Sequence, residues 1–411
     1  MPSARTASTD RRAAGQGSSM RTLITNLGAV VSGDVAAPLA DADGILIEDG
    51  RIAAVGRTLD AAGVELVIDA HGTTAIPGLI DSHAHPVFGD FTPRQRTIDF
   101  IESGLHGGVT TVISAGEVHL PGRPKDIVGL KALAIVAAKS YQNLRPAGVK
   151  VRAGAPILEL GMEERDFAEM AAAGVSLVGE IGLGSVKTGA QAAPMVAWAK
   201  AHGMTVTFHT GGPSIAGSSA IGADAVLEAR PHIVGHINGG TTAMSDADIE
   251  RLVASDMAIE IVHCGNGRAA LMAARLAVAA GALDRVIIGN DAPSGTGVVP
   301  LGILRVMAHL AALGGIEPEV AVAMATGNTA RVHGLDVGVI EPGRAADLCL
   351  VDAPVGSIAD TAMGALAIGD LPGISMVLID GEVRIGRSRN TPPAARAAEV
   401  VGGGGPAVGG H

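Results

Sequence analysis

The chain has 411 residues and a formal net charge of −11, and it is 47% hydrophobic but only 2% aromatic, with 58 glycines. A chain of this length can bury a large core, and this composition is typical of an α/β protein packed by Ala, Val, Ile and Leu. The acidic balance argues against a general nucleic-acid or anionic-membrane surface, and no apolar run has the length of a membrane span.

The two ends of the chain differ in composition from the rest. Residues 1–19 are small, polar and mildly basic, and they lack the apolar core of a secretory signal, so we expect a disordered tail there, with a transit segment as the alternative. The glycine-rich end predicts a second disordered tail over residues 394–411. Cys264 and Cys349 are too few for a disulfide framework, which favours a cytoplasmic protein.

Two β-rich segments flank the middle of the chain. Residues 20–75 alternate short apolar runs with turns, and the Asp49-Gly50 pair between two such runs is a hairpin signal. Residues 335–393 have the same character. We therefore expect the two segments to combine into one composite β-sandwich domain.

The middle segment, residues 76–334, alternates strands with Ala-rich helical stretches. The strand candidates are Ala75–His85, Val109–Ala115, Val149–Ile157, Val175–Ile181, Met204–His209, Ile233–His236, Ala258–Val262 and Val286–Asp291. Eight such βα units in this length predict a (β/α)8 TIM barrel, and a doubly wound open sheet is the alternative. The predicted fold class is thus α/β, a barrel with a small β-sandwich.

Polar side chains with metal-binding chemistry end five of these strands. His83 and His85 end the first strand, and residues i and i+2 of a strand face the same side, so both imidazoles can point at one place. The later strands end in Glu180, His209, His236 and Asp291. A barrel gathers the carboxyl ends of its strands around one mouth, where the active sites of this fold lie.

Each of these residues also has a structural interpretation. Glu180 could cap a helix, Asp291 could belong to a turn, and His209 and His236 could be neutral core histidines. Four imidazoles around one cavity without a metal would repel each other when protonated and would leave polar groups unsatisfied when dry. The set therefore predicts a metal site, and nitrogen and oxygen ligands without a thiolate suit Zn²⁺ or Fe²⁺.

The pattern of His83-x-His85, His209, His236 and Asp291 resembles the amidohydrolase superfamily, and the resemblance runs from about residue 21 to residue 400. Most dinuclear members have a carbamylated lysine at the end of strand four, where this chain has Glu180. That departure points to a narrower group, whose members open cyclic enamides. Further stretches that resemble this group are Pro93-Arg94-Gln95, Leu105–Thr111, Pro121–Asp126, His236–Gly240 and Gly289–Gly297.

The resemblance implies two divalent metal ions, zinc and/or iron. His83, His85 and Asp291 would hold one ion, His209 and His236 the other, and Glu180 would bridge them without the carbon dioxide that a carbamate needs. It implies that a metal-bridging hydroxide opens 6-oxo-1,4,5,6-tetrahydronicotinate to 2-formylglutarate and ammonia, a reaction of nicotinate degradation, with Asp291 as ligand and proton carrier. It also implies a homotetramer.

A carboxylated lactam substrate requires a cation or several N–H donors in the pocket. The candidates for substrate binding are Arg94, His119, Arg123, Lys125 and His263, with Lys187 and Cys264 as further residues near the predicted mouth. The same ligands would serve another amidohydrolase acting on a cyclic amide, an imide or an N-acyl group. A mononuclear deaminase and a metal-free scaffold are the remaining alternatives.

Overall fold

The computed structural model describes residues 20–86, 100–116, 123–213, 219–240, 242–293 and 299–402. Its strands in chain order are β1 (Arg21–Thr25), β2 (Ala29–Val31), β3 (Leu39–Ala40), β4 (Gly44–Glu48), β5 (Arg51–Gly56), β6 (Leu66–Asp69), β7 (Thr74–Pro77), β8 (Leu79–Ala84), β9 (Val109–Ser114), β10 (Lys150–Arg152), β11 (Leu177–Ile181), β12 (Thr205–Phe208), β13 (Ile233–Val234), β14 (Ala258–Val262), β15 (Val286–Gly289), β16 (Leu348–Asp352), β17 (Gly373–Ile379), β18 (Glu382–Ile385) and β19 (Glu399–Gly402).

The flanking segments form two packed sheets. One sheet has the order β19-β6-β1-β4-β5 and the other the order β18-β17-β16-β7-β2-β3. Their facing side chains form one apolar core, which includes Ile24, Ile45 and Leu348. The hairpin predicted at Asp49-Gly50 is confirmed: it joins β4 to β5, and both residues have the positive φ angles, 49° and 77°, that a tight hairpin turn requires.

Strands β8 to β15 form a closed barrel. Within it, β8 to β10 pair in parallel and so do β11 to β15. The two groups meet where Gly179 N donates to Pro156 O at 2.9 Å, and again where Asp291 N donates to His83 O at 2.7 Å. The TIM barrel predicted from the alternation of strands and helices is therefore confirmed, and the open sheet is excluded.

Helices surround the barrel. They are α1 (Ile127–Asn143), α2 (Glu164–Ala172), α3 (Gly189–Ala201), α4 (Ala223–Ala229), α5 (Asp246–Val253), α6 (Gly267–Ala279), α7 (Gly302–Gly314), α8 (Pro318–Met324), α9 (Gly327–His333) and α10 (Ala362–Ile368). Small residues form their inner faces: α6 buries Ala269, Ala273 and Ala277, and Asn266 caps its start by accepting from Ala269 N. Across the described ranges, no helix is long and apolar enough to cross a membrane.

Two details differ from the sequence-based expectation. The single strand expected over Ala75–His85 is two strands, β7 in the sandwich and β8 in the barrel, separated by Gly78. A Cβ on Gly78 would lie 2.2 Å from Thr110 Oγ1, so only glycine fits at this crossing. Part of the expected tail at 394–411 is ordered, because β19 pairs antiparallel with β6; residues 1–19 and 403–411 lie outside the described residues.

Candidate metal centre

The six predicted ligands come together at the carboxyl ends of the barrel strands. His83, His85 and Glu180 form one group of three whose ligand atoms lie within 4.8 Å of one another; Glu180, His209 and His236 form a second group. Asp291 forms a third group with His83 and His236. All six side chains are buried. The interpretation of these residues as isolated caps, turns and core histidines is therefore not supported.

Glu180 lies between two pairs of imidazoles: His83 with His85, and His209 with His236. Its Oε1 is 2.5 Å from His236 Nε2, 3.6 Å from His209 Nδ1 and 3.5 Å from His83 Nε2. Its Oε2 is 3.7 Å from His85 Nε2. Both carboxylate oxygens thus face imidazole nitrogens, and Oε1 faces members of both pairs. Lys187, which lies two residues before α3, is exposed.

Asp291, which follows β15, contacts the imidazoles of His83 and His85. Its Oδ1 is 3.2 Å from His85 Nε2 and 3.7 Å from His83 Nε2. Asp291 has a φ of 57°, in the left-handed region that Asp tolerates better than most residues. This backbone turn at the end of the strand directs the carboxylate into the mouth, where it can accept a proton or bind a cation.

The electrostatics of the cluster favour positive charge at its centre. Burial lowers the pKa of His83, but the carboxylates of Glu260 and Glu180 raise it more, so the net pKa lies well above the ordinary value. Burial would raise the pKa of Glu180, yet the charges of His83 and His236 hold it well below the ordinary value. The carboxylates are thus ionised, and their negative charge would attract a divalent cation in place of the imidazole protons.

The donor atoms of the cluster fit divalent metal ions. His83 Nε2, His209 Nε2 and His236 Nδ1 are buried and have no hydrogen-bond partner among the described residues, which is a costly state for polar atoms. His83 Nε2 also faces the carboxylate oxygens of Glu180 and Asp291. Nitrogen and oxygen donors at such separations suit Zn²⁺ or Fe²⁺, so the residues present fit the ions that the sequence implies.

Two buried carboxylates were missed by the sequence analysis. Glu260 in β14 accepts from Ser82 Oγ at 2.6 Å and lies 2.7 Å from His83 Nδ1. Asp81 accepts from the backbone N–H groups of His83 and Asn290, and burial raises its pKa to about 7. Glu260 is an acidic residue inside an otherwise apolar strand, and that placement was the signal that could have revealed it.

Arg123 and Lys125 are the two predicted substrate-binding cations that lie within the described residues. Arg123 forms an ion pair with Glu159 at 2.7 Å, and Glu159 also accepts from Ser185 N at 2.9 Å. Lys125 is exposed. Arg123 is therefore paired with a neighbouring loop through Nη2, whereas its buried Nη1 has no hydrogen-bond partner among the described residues.

Arg94 and His119 lie outside the described residues. His263 lines a cavity of about 410 Å³ together with Arg305 and His309, and none of the six predicted ligands lines that cavity. Burial lowers the pKa of His263, and the charge of Arg305 lowers it further, which favours a neutral imidazole. His263 thus lines a cavity that the six predicted ligands do not line.

The chain is similar in sequence to known members of the amidohydrolase family. Residues 74–384 match the Amidohydrolase family. The chain is 57% identical to an enamidase of Eubacterium barkeri, over 93% of this chain and 100% of that protein. It is 25% identical to a dihydroorotase of Pelotomaculum thermopropionicum, over 82% of this chain and 90% of that protein.

Solved structures give the same result. A crystal structure of enamidase, described as a member of the amidohydrolase superfamily, superimposes with a TM-score of 0.89 at 57% identity and covers 93% of this chain and 100% of that one. A β-aspartyl dipeptidase from Fervidobacterium islandicum superimposes with a TM-score of 0.61 at 21% identity, over 90% of this chain and 98% of that one. At that identity the second similarity concerns the fold alone.

Proposed function

Because this chain belongs to the amidohydrolase family, a family of hydrolases of carbon–nitrogen bonds, we propose that it opens a cyclic enamide. The proposed substrate is 6-oxo-1,4,5,6-tetrahydronicotinate, and the products are 2-formylglutarate and ammonia. The 57% identity to enamidase over 93% of the chain supports this choice of substrate. The observation that carries the proposal is the Glu180 carboxylate, which lies among all four imidazoles.

In this proposal His83, His85 and Asp291 would hold one divalent ion, His209 and His236 would hold a second, and the Glu180 carboxylate would serve both. Bound zinc or iron would polarise the lactam carbonyl and lower the pKa of water toward neutrality. The Glu180 carboxylate needs no chemical modification before it can bind metal, because the neighbouring imidazoles lower its pKa and keep it ionised.

The protein's own residues supply positioning and proton transfer. Asp291 takes the proton of the attacking water at a carboxylate oxygen and passes it to the ring nitrogen as the amide C–N bond breaks. The ionisation state of Asp291 in the folded protein suits that role. Burial would raise the pKa of Asp291, but the hydrogen bond with His85 and the charge of His83 bring it below the ordinary value, so the carboxylate begins deprotonated.

The ring-opened product is an enamine with a new carboxylate. Its tautomer is an imine, and addition of a second water gives the aldehyde and releases ammonia. Two waters are therefore consumed for each ring opened. All six proposed ligands have little or no exposed surface. Ring opening among them would therefore be shielded from bulk water.

We further propose a small carboxylated substrate, a cytoplasmic location and a homo-oligomer, with a tetramer as the expected state. The formal charge of −11 argues against a membrane surface, and the presence of only two cysteines argues against an oxidising compartment. Both support the cytoplasmic location. The cation that binds the substrate carboxylate stays a prediction among Arg94, His119, Arg123, Lys125 and His263.

A substrate panel tests the proposal. Purified protein with its metals is supplied with 6-oxo-1,4,5,6-tetrahydronicotinate and, in parallel, with cyclic imides and N-acyl amino acids, and ammonia and aldehyde are measured. We expect the highest kcat/KM on the tetrahydronicotinate lactam, with ammonia and aldehyde in equal amounts. Higher kcat/KM on a cyclic imide, or ring opening without ammonia, would contradict the proposed substrate while leaving the hydrolase chemistry in place.

A further inference from the structure

Glu260 is a carboxylate in the middle of the barrel wall that the proposed mechanism does not use. It lies in β14 between Ile259 and Ile261, and none of its surface is exposed. A buried carboxylate is costly unless several donors satisfy it. Its donors are therefore informative about the reason for its presence.

Those donors are parts of the proposed metal centre. Glu260 Oε1 accepts from Ser82 Oγ at 2.6 Å, whereas Oε2 lies 2.7 Å from His83 Nδ1 and accepts from the backbone N–H of His236 at 3.2 Å. One carboxylate oxygen is thus shared between residues that belong to different halves of the proposed site.

The contact with His83 decides which ring nitrogen is available. An imidazole binds metal only in its neutral form, and when Nδ1–H of that form donates to Glu260 the lone pair is on Nε2. That atom has no hydrogen-bond partner in the described parts of the chain, and it faces Glu180 Oε1 at 3.5 Å and Asp291 Oδ1 at 3.7 Å. Glu260 therefore orients the ring and directs its lone pair toward the two carboxylates.

The contact with His236 has a different effect. His236 has a φ of 29°, a backbone conformation that side-chain-bearing residues rarely adopt, so the surrounding structure must hold it there. The hydrogen bond from His236 N to Glu260 is one such restraint, and the imidazole on this backbone reaches Glu180 with its Nε2 at 2.5 Å. A change at Glu260 would thus reach both halves of the site.

We propose that Glu260 is a positioning residue that holds His83 and His236 in the geometry needed to bind metal. The inference rests on the proposed function, since it supposes that the cluster binds divalent ions. A carboxylate behind a metal-binding imidazole fixes its orientation and raises its basicity, and loss of such a partner commonly weakens metal binding about 10–100-fold. A merely structural role would instead lower stability and leave metal affinity unchanged.

The test compares Glu260→Gln with wild type and with Asp347→Asn as a matched control. Asp347 is also a buried carboxylate, but it lies at the opposite end of the barrel against Lys150. Full-length protein is stripped of metal and titrated with Co²⁺, which reports its ligands through its visible absorption. The melting temperature of each metal-free protein is measured alongside.

We expect Glu260→Gln to bind Co²⁺ about 10–100-fold more weakly than wild type, with an altered spectrum. Asp347→Asn should melt at a lower temperature but keep the wild-type affinity and spectrum. Wild-type affinity and spectrum in Glu260→Gln would overturn the inference. Failure of the wild-type chain to bind Co²⁺ would instead overturn the proposed function, and this inference with it.

A second variant keeps the test decisive if Glu260→Gln does not fold. Glu260→Asp retains the charge, but its side chain is one methylene shorter and cannot reach Ser82, His83 and His236 together. Weaker Co²⁺ binding in Glu260→Asp with a folded circular-dichroism spectrum would support the inference. Wild-type binding in this variant would overturn it, because the geometry of the contact would then be irrelevant.

Discussion

The two ends of the barrel bury charged groups in different ways. At the amino ends of the strands, Lys150 Nζ lies 2.8 Å from Asp347 and 2.8 Å from Asp380, and Arg145 completes the network with Asp380 at 2.7 Å. At the carboxyl ends, Glu180 and Asp291 face four imidazoles, some of whose ring nitrogens have no hydrogen-bond partner in the described parts of the chain.

This contrast separates a structural site from a candidate functional one. At the amino end each charged group is paired with an opposite charge, so no bound ion is needed there. This network also joins the barrel to the sandwich. At the carboxyl end His83 Nε2 faces the carboxylates of Glu180 and Asp291 but has no hydrogen-bond partner among the described residues, and a bound cation would satisfy it.

Asp291→Ala should have the largest effect. Loss of the proton carrier is expected to lower kcat about 10²–10⁴-fold, because general acid–base groups contribute on that scale. Circular dichroism should show that the fold survives, since the loss is confined to a side chain at the mouth. Turnover close to wild type in a folded Asp291→Ala protein would refute the role proposed for this carboxylate.

Glu180→Gln should abolish the bridge while retaining its shape. The neutral amide binds cations less strongly than a carboxylate, so the variant should hold fewer metal ions per chain, and kcat should fall with them. Elemental analysis of purified protein measures the metal, and steady-state kinetics the turnover. A Glu180→Gln protein with normal metal content and normal kcat would exclude Glu180 as the bridging residue.

Lys150→Met tests the opposite end of the barrel. It leaves Asp347 buried without its cation, so the free energy of unfolding should fall by about 3 kcal/mol, the lower end of the range for breaking a buried ion pair, because Lys150 is partly exposed. Urea unfolding measures this. The metal content should not change. Arg57→Met, which removes an exposed ion pair with Asp41, is the control and should have no measurable effect.

His333 should make stability depend on pH. Burial lowers its pKa to about 4, and neither ring nitrogen has a hydrogen-bond partner within the described ranges. A folded pKa below the unfolded value of 6.5 gives stability that is complete above pH 6.5 and is lost as the pH falls toward 4. The loss attributable to His333 is about 2 kcal/mol at pH 5.

His333→Leu should therefore flatten the acid side of the stability profile relative to wild type. The buried Asp81 acts in the opposite direction, because burial raises its pKa to about 7, but it is present in both proteins and cancels in the comparison. Urea unfolding at pH 7.5 and pH 5 measures the difference. Equal pH dependence in the two proteins would mean that His333 does not titrate as its burial requires.

Bicarbonate should have the smallest effect, which is none. A carbamylated lysine needs carbon dioxide to assemble, whereas Glu180 is already a carboxylate among the imidazoles and Lys187 is exposed. Metal-free protein reconstituted with zinc or iron should regain the same activity with and without added bicarbonate. A clear requirement for bicarbonate would place a modified lysine, and not Glu180, between the metals.

The amino-acid sequence predicted the fold and the six clustered residues because both follow from local patterns. Each candidate ligand ends an apolar strand, and the barrel topology brings strand ends together. Glu260 was missed because a single acidic residue in a strand usually faces solvent, and only the closed barrel turns it toward His83.

Other features depended on long-range contacts that periodicity does not encode. The apolar run at Ala75–His85 has no break in composition, yet the chain changes sheets at Gly78, where Thr110 allows no side chain. The pairing of Arg123 with Glu159 joins two separate loops. Strand β19 forms because β6 offers it an edge, although the residues that follow it are rich in glycine.

Anomalous X-ray scattering from crystals of the purified protein would show whether metal ions occupy the cluster around Glu180. Data collected at the zinc and iron absorption edges would locate any bound metal and identify it. We predict two peaks enclosed by His83, His85, His209, His236 and Asp291, with the carboxylate of Glu180 between them. Absence of metal from this cluster, or a Glu180 carboxylate turned away from both ions, would contradict the account.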